Sequence, residues 1–237
     1  MQEKLLNDEL RAQISSIFIS KLALPVELML FLSKEECSTC NETRQLVEEL
    51  VELSSLLSLN IYDIEKQRRL AERYHIYLAP ALVITGADDG KIVDYGIRFF
   101  GIPSGYEFSS LIHTIGMVSK RDSGLKPEIR RELLEITTPI TLKVFSTPTW
   151  QYCPQAVVFA YQLAMENPQI RAEMIQANEF YDFAMQYNVS GVPQTNINDG
   201  AGVIIGAVPE ELFVQEVKRA IENKFNPPDN GSTRTKK

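Results

Sequence analysis

The chain has 237 residues, with 24 Lys and Arg against 31 Asp and Glu, which gives a formal net charge of −7. A hydrophobic content of 44% excludes a mostly disordered chain, and the length suits one large or two small domains. The acidic balance argues against nucleic acid as a partner. No apolar run is long enough to span a membrane and the N-terminal segment lacks an apolar signal core, so we expect a cytoplasmic protein.

Apolar periodicity predicts alternating helices and strands over the first 120 residues. A short apolar run directly before two cysteines is typical of a buried strand, and leucines repeating at three and four residues after them indicate a helix. The predicted elements are a helix over 4–22, a strand over 26–32, a helix carrying Leu46, Leu50, Leu53 and Leu57, a strand over Leu59–Ile64, a helix over Lys66–Tyr74, a strand over Ala81–Thr85, a turn at Asp89-Gly90 into another strand, and a helix over Phe108–Val118.

The polar segment 120–126 is the best candidate for a linker, because the same order of elements recurs after it. We therefore expect one domain over residues 1–120, a second over 121–225, and a disordered tail over 226–237, which has almost no apolar content. The predicted elements of the second half are helices over Pro127–Ile136, Cys153–Glu166, Glu179–Tyr187 and Pro209–Asn223, strands over Ile140–Phe145, Thr195–Ile197 and Val203–Ile205, a weak strand near Ala172–Ala177, and a turn at Asp199-Gly200.

Residue matches at one offset indicate that the second half is a copy of the first. The pairs agree with the repeated order of elements, so a tandem duplication explains the pattern better than one irregular α/β domain. The pairs that differ by 113 are Cys40 and Cys153, Ala71 and Ala184, Tyr74 and Tyr187, Ile76 and Val189, and Pro80 and Pro193.

A Cys-x-x-Cys motif, Cys37 to Cys40, lies between a predicted buried strand and the start of a helix. The unpaired N–H groups and positive dipole end of a helix N-terminus stabilise a thiolate, which is the attacking species in disulfide exchange. We therefore predict that Cys37 attacks and that Cys40, one turn later, resolves the mixed disulfide. Three other interpretations stay open: half of a zinc site, although Cys153, His75 and His113 offer no paired spacing; a structural disulfide; and inert buried thiols.

A strand, a Cys-x-x-Cys motif at a helix start and a later proline before a hairpin together resemble the thioredoxin superfamily. The tandem copy brings the chain closest to the protein disulfide oxidoreductases, also called glutaredoxin-like proteins, which carry two thioredoxin folds. The resemblance covers residues 5–224 and rests on segments such as SKEECSTC, VFSTPTWQYCPQAV and QYNVSGVP. It implies an α/β protein with two thioredoxin-like folds, each a central mixed β-sheet flanked by helices.

The resemblance also implies roles for individual residues near the redox pair. Pro80 and Pro193 should follow cis peptide bonds, which leaves the backbone of Ala79 and Val192 free to pair with a substrate strand. Ser38 and Thr39, between the two cysteines, are counted with Ala79 and Pro80 as substrate-binding residues.

The second half departs from the family pattern. Trp150 stands where the attacking cysteine is expected, since 150 − 113 = 37, and only Cys153 remains of the pair. One thiol cannot form an intramolecular disulfide, so we expect this half, with Trp150, Cys153, Val192 and Pro193, to be a degenerate and redox-inactive site. Cys153 is then a small buried apolar residue, with a lone nucleophile as the alternative.

The sequence contains no glycine-rich phosphate loop, so we expect no bound cofactor and no metal. The resemblance implies disulfide-containing client proteins and an electron donor that is either a thioredoxin-reductase-like flavoprotein or glutathione. The predicted activity is thiol–disulfide exchange through Cys37 and Cys40. A non-catalytic binding or adaptor protein built on thioredoxin folds is the alternative.

Overall fold

A computed structural model describes residues 4–35, 37–88 and 90–225, the side chains of 223–225 excepted. The predicted disordered tail lies outside the described residues. The helices are α1 (Asp8–Lys21), α2 (Cys40–Val51), α3 (Arg68–Arg73), α4 (Tyr106–Lys120), α5 (Pro127–Leu133), α6 (Cys153–Glu166), α7 (Tyr181–Gln186) and α8 (Glu210–Phe225). The strands are β1 (Val26–Leu32), β2 (Leu57–Asp63), β3 (Ala81–Asp88), β4 (Lys91–Phe100), β5 (Ile140–Ser146), β6 (Ile170–Gln176), β7 (Gln194–Ile197) and β8 (Gly202–Ile205).

Eight strands form one continuous mixed sheet in the order β2-β1-β3-β4-β6-β5-β7-β8. Within each half, the central strand β1 or β5 pairs in parallel with one neighbour and antiparallel with the other. The halves join where β4 and β6 pair in parallel, with Ile97 opposite Ala172 and Phe100 opposite Ile175. The predicted pair of tandem thioredoxin-like folds is confirmed, and the structure adds that their sheets are fused.

Both faces of the sheet are covered, because successive side chains of a strand point to opposite faces. In β1, Leu28 and Leu30 belong to the larger apolar core with residues of the long helices, whereas Met29 and Phe31 belong to the smaller core under α3 and α7. All four side chains are buried. This packing fixes the carboxyl end of β1, where the cysteine motif begins.

The observed elements differ from the predicted ones mainly at their ends. The leucine stripe extends the predicted second helix to Leu57, but α2 ends at Val51 and Leu57 opens β2, where it pairs with Val26. The strand expected to be weak is β6, which lies at the centre of the sheet. The predicted turn at Asp199-Gly200 is part of a short 3-10 helix over Asn198–Gly200.

Candidate functional site

The first candidate site is the Cys37–Cys40 pair at the carboxyl end of β1. The two cysteines form a disulfide with Cα atoms 5.5 Å apart. Cys40 is buried and is the first residue of α2, whereas Cys37 is half-buried and precedes the helix. The backbone N–H of Ser33 donates to Cys40 Sγ at 3.5 Å. The more accessible thiol is therefore the one predicted to attack.

Two loops carry cis prolines, one in each half, and this prediction is confirmed. The Ala79–Pro80 and Val192–Pro193 bonds are both cis. The carbonyl of each proline accepts a backbone hydrogen bond from a glycine in the following hairpin, at 2.9 Å for Pro80 and 2.8 Å for Pro193. Within the described part of the chain, the backbones of Ala79 and Val192 make no hydrogen bond. Both loops therefore offer peptide groups to an incoming strand.

The duplication extends to backbone conformation in the segments before these prolines. His75 has a positive φ of 57°, and Asn188, its counterpart at the offset of 113, has a positive φ of 53°. Positive φ is uncommon for residues other than glycine. Equivalent positions in the two halves thus share an unusual turn, which supports the alignment of Pro80 with Pro193.

The two residues between the cysteines differ in their surroundings. Ser38 is exposed, while Thr39 is half-buried and occupies the N-cap position of α2. The Thr39 hydroxyl makes no capping bond to the helix and instead donates to Oε1 of Glu179, a residue of the second half. Sequence reasoning missed Glu179, because 140 residues separate it from Thr39.

Trp150 lies at the position that corresponds to Cys37, and its ring is 49% exposed. It packs edge-on against Tyr152, which is 51% exposed, with ring centroids 5.8 Å apart. Its carbonyl accepts a hydrogen bond from the N–H of Cys153 at 3.1 Å. The second site therefore presents an aromatic pair to solvent where the first presents a sulfur atom.

Cys153 is fully buried and begins α6, as Cys40 begins α2. Burial raises the pKa of its thiol, and hydrogen bonds with Ser146 and with the backbone of Thr147 only partly oppose that effect. A neutral, inaccessible thiol is a poor nucleophile. The expectation of a buried, apolar-like cysteine is confirmed.

A buried carboxyl group, Glu107, lies beneath this second site. It belongs to α4 of the first half, is only 1% exposed, and accepts a hydrogen bond from the hydroxyl of Ser146. Burial raises the pKa of Glu107. Its Oε2 and the Oγ of Ser110 have no partner among the described residues when the carboxyl is treated as an acceptor only. A protonated carboxyl would be a donor as well, and could serve Ser110.

The described residues contain no group of three or more His, Cys, Asp or Glu side chains arranged to hold a metal ion. No helix in that part of the chain combines the length and apolar character needed to cross a bilayer.

Residues 140–219 match a family model described as a thioredoxin domain. Among solved structures, a protein disulfide oxidoreductase from Aeropyrum pernix is similar, with 29% identity and a TM-score of 0.83, covering 94% of this chain and 96% of that one. The N-terminal domain of the alkyl hydroperoxide reductase AhpF of Enterococcus faecalis is similar as well, with 25% identity and a TM-score of 0.80, covering 89% and 99%.

Curated relatives are the F components (AhpF) of bacterial alkyl hydroperoxide reductases. That of Xanthomonas campestris is 24% identical over 194 residues, which are 82% of this chain and 33% of the relative. That of Escherichia coli is 26% identical over 198 residues, covering 82% and 34%. This chain thus spans about a third of the curated relatives it matches. With the fused sheet, the Cys37–Cys40 pair and both cis prolines, these matches identify the chain as a tandem thioredoxin-fold protein of the disulfide oxidoreductase type.

Proposed function

We propose that the chain is a thiol–disulfide oxidoreductase that exchanges disulfides with protein clients through Cys37 and Cys40. The observation that carries the proposal is the position of this pair at a helix start beside the free peptide group of Ala79. A client strand that pairs with Ala79 would bring its disulfide to the more accessible sulfur, that of Cys37. We place this activity in the cytoplasm, where a Cys-x-x-Cys pair is more often catalytic than structural.

The exchange proceeds in two displacements at sulfur. The Cys37 thiolate attacks one sulfur of the client disulfide, so that a mixed disulfide forms and the other client sulfur leaves as a thiolate. Cys40 then attacks the sulfur of Cys37, which closes the Cys37–Cys40 disulfide and releases the second client sulfur. Overall, two electrons and two protons pass from the pair to the client. The reverse sequence oxidises a client dithiol.

A donor must return the two electrons for a further reductive cycle. We propose a thioredoxin-reductase-like flavoprotein or glutathione in this role. The curated relatives support a reductive role, since they are named as components of a reductase. A coupled assay that follows oxidation of NADPH, with either a thioredoxin reductase or glutathione and glutathione reductase, distinguishes the two donors.

We propose that redox chemistry is confined to residues 1–120 and that residues 121–225 serve structure or substrate binding. Cys153 has no second cysteine beside it, because Trp150 replaces the attacking residue. Val192 and Pro193 nevertheless keep the backbone arrangement of a substrate-binding loop. The second half would then hold a client without exchanging disulfides with it.

Reduction of insulin disulfides tests the proposal. Cys37→Ser should abolish turnover, whereas Cys40→Ser should accumulate a mixed disulfide between Cys37 and the client. Cys153→Ser is the matched control, since it removes the third and last cysteine of the chain and should leave turnover close to that of the unaltered protein. Near-normal turnover by Cys37→Ser would show that the attacking residue is wrongly assigned.

The alternative is a binding or adaptor protein, and the exposed pair of Trp150 and Tyr152 favours it, because aromatic side chains of this kind anchor protein interfaces. The pKa of Cys37 in the reduced protein discriminates between the two functions. A value below that of a free cysteine, about 8.5, together with insulin turnover supports the oxidoreductase. A value at or above it without turnover supports the adaptor.

A further inference from the structure

The carboxylate of Glu179 reaches from the second half into the first redox site. Its Oε1 accepts from the hydroxyl of Thr39, the residue next to Cys40, and its Oε2 accepts from the backbone N–H of Ile102 at 3.0 Å. Both donors belong to the first half. One side chain of the second half therefore fixes both the cysteine motif and the loop that follows β4.

The backbone around Glu179 is held in place for this contact. Its N–H points to Gln176 at the end of β6, with the backbone carbonyl at 3.2 Å and the side-chain Oε1 at 3.1 Å. Gly101, in the facing loop, has a φ of +93°, and a Cβ added there would lie 2.7 Å from both Gln176 Cβ and Glu179 Oε2. Only a glycine allows so close an approach at that φ.

No cation compensates this carboxylate. Within the described residues, Glu179 takes part in no ion pair, and both of its hydrogen-bond donors are neutral. Its negative charge therefore acts on the start of α2, where a reduced Cys37 would carry its own negative charge. Two like charges at short range disfavour ionisation of the thiol.

We infer that Glu179 is a positioning residue of the redox site: it fixes Thr39 beside Cys40 and sets the electrostatic environment of the Cys37–Cys40 pair from the other half of the chain. The inference rests on the proposed function and deepens it. The second half then contributes to exchange without a complete cysteine pair. Destabilising the thiolate favours the disulfide form, so the carboxylate makes the pair more reducing.

Glu179→Gln removes the charge and keeps a side chain of the same length. In the reduced variant we expect the pKa of Cys37 to fall, with about a threefold to tenfold higher thiolate fraction at pH values below that pKa. At a pH above the pKa, this change corresponds to a reduction potential about 14 to 30 mV less negative. The readouts are the pH dependence of alkylation of Cys37, followed by mass spectrometry, and equilibration against glutathione.

Glu222→Gln is the matched control, because it removes the same charge from an exposed side chain of α8, which packs on β8 at the far edge of the second half. It should change neither quantity. If Glu179→Gln does not fold, as judged by circular dichroism, Glu179→Ala replaces it and should shift both quantities in the same direction.

An unchanged or raised pKa of Cys37 in a folded Glu179 variant would overturn the inference. Alkylation and equilibration require no client and no turnover. Failure of the proposed function, which insulin reduction detects, is therefore distinguishable from failure of this inference.

Discussion

Arg98, on the strand that joins the two halves, forms a two-pronged ion pair with Asp94, with Nη1 2.8 Å from Oδ1 and Nη2 2.7 Å from Oδ2. The Arg98 side chain is 1% exposed, whereas Asp94 is 33% exposed. The remaining guanidinium donor, Nε, points to the carbonyl of Tyr74 at 2.7 Å. A buried cation is thus fully paired at the centre of the molecule.

Asp94→Asn should destabilise the protein, because it leaves the Arg98 charge buried without its partner. Breaking a buried pair costs about 3–5 kcal/mol, and we expect about 2–3 kcal/mol here because Asp94 is partly solvated. Urea unfolding measures the loss. Glu128→Gln breaks an exposed pair with Arg131 and should cost about 1 kcal/mol or less. Equal losses in the two variants would contradict the special position of Arg98.

Glu107→Gln should change how stability depends on pH. Burial raises the pKa of Glu107 in the folded state, so the folded protein binds the proton more tightly than the unfolded chain. That contribution is fully present below the unfolded pKa, about 4.3, and is lost as pH rises through the folded pKa. Gln does not titrate. The variant should therefore gain stability relative to the unaltered protein between pH 4 and the folded pKa.

Glu49→Gln provides a control of opposite sign. Burial alone would raise the pKa of Glu49, but hydrogen bonds from the N–H of Leu6, the side chain of Gln45 and the N–H of Leu5 lower it. Its stabilising contribution is present above the unfolded pKa and is lost as pH falls through the folded value. Relative to the unaltered protein, Glu49→Gln should lose stability as pH rises. Parallel pH profiles for the two variants would refute both assignments.

Trp150→Cys should create a second redox pair with Cys153. Residues three apart at a helix start can bring their Cα atoms within the ~4.4–6.8 Å that a disulfide needs, and the first site does so at 5.5 Å. After mild oxidation, the natural protein, with its three cysteines, should keep one free thiol, and the variant should keep none.

Since the Trp150 ring is half-exposed, its loss should cost only about 1–2 kcal/mol. Circular dichroism serves as the folding control for this variant. Two remaining thiols in a folded Trp150→Cys protein with a closed first site would mean that Trp150 does not occupy the position of an attacking cysteine.

Gly105→Ala should weaken the junction between the halves. Gly105 has a φ of +58°, and a Cβ there would clash with the carbonyl oxygen of Pro148, which accepts from the N–H of Tyr106 at 2.9 Å. The strain and the clash together should cost at least about 1 kcal/mol. At Gly191 an added Cβ meets nothing within 4 Å, so Gly191→Ala should be neutral or slightly stabilising. Thermal unfolding compares the two, and a neutral Gly105→Ala would contradict this account of the junction.

The sequence predicted features that depend on neighbouring residues. Cys37 and Cys40 lie between an apolar strand and an amphipathic helix, and Pro80 and Pro193 recur at a fixed offset, so local patterns were sufficient. The pattern was misleading at Leu57, whose spacing continues a helical stripe although the strand ladder with Val26 determines its conformation. Tertiary pairing of this kind overrides periodicity.

Contacts between the halves left no signal in the sequence. Glu179 and Glu107 read as ordinary charged residues, yet one is bonded to Thr39 and the other lies buried beneath Cys153. A chain position 140 residues away becomes a neighbour only through the parallel pairing of β4 with β6. The register of that pairing depends on the packing of both halves, which no short segment encodes.

The fused sheet also explains why a half without a complete cysteine pair has a structural task. Cutting the chain between the halves would turn Ile97–Phe100 and Ala172–Ile175, now paired and buried, into open strand edges lined with apolar side chains. Such edges recruit other chains and promote aggregation. Each half thus shields the other from self-association, and the redox site of the first half depends for its solubility on a partner that need not perform any chemistry.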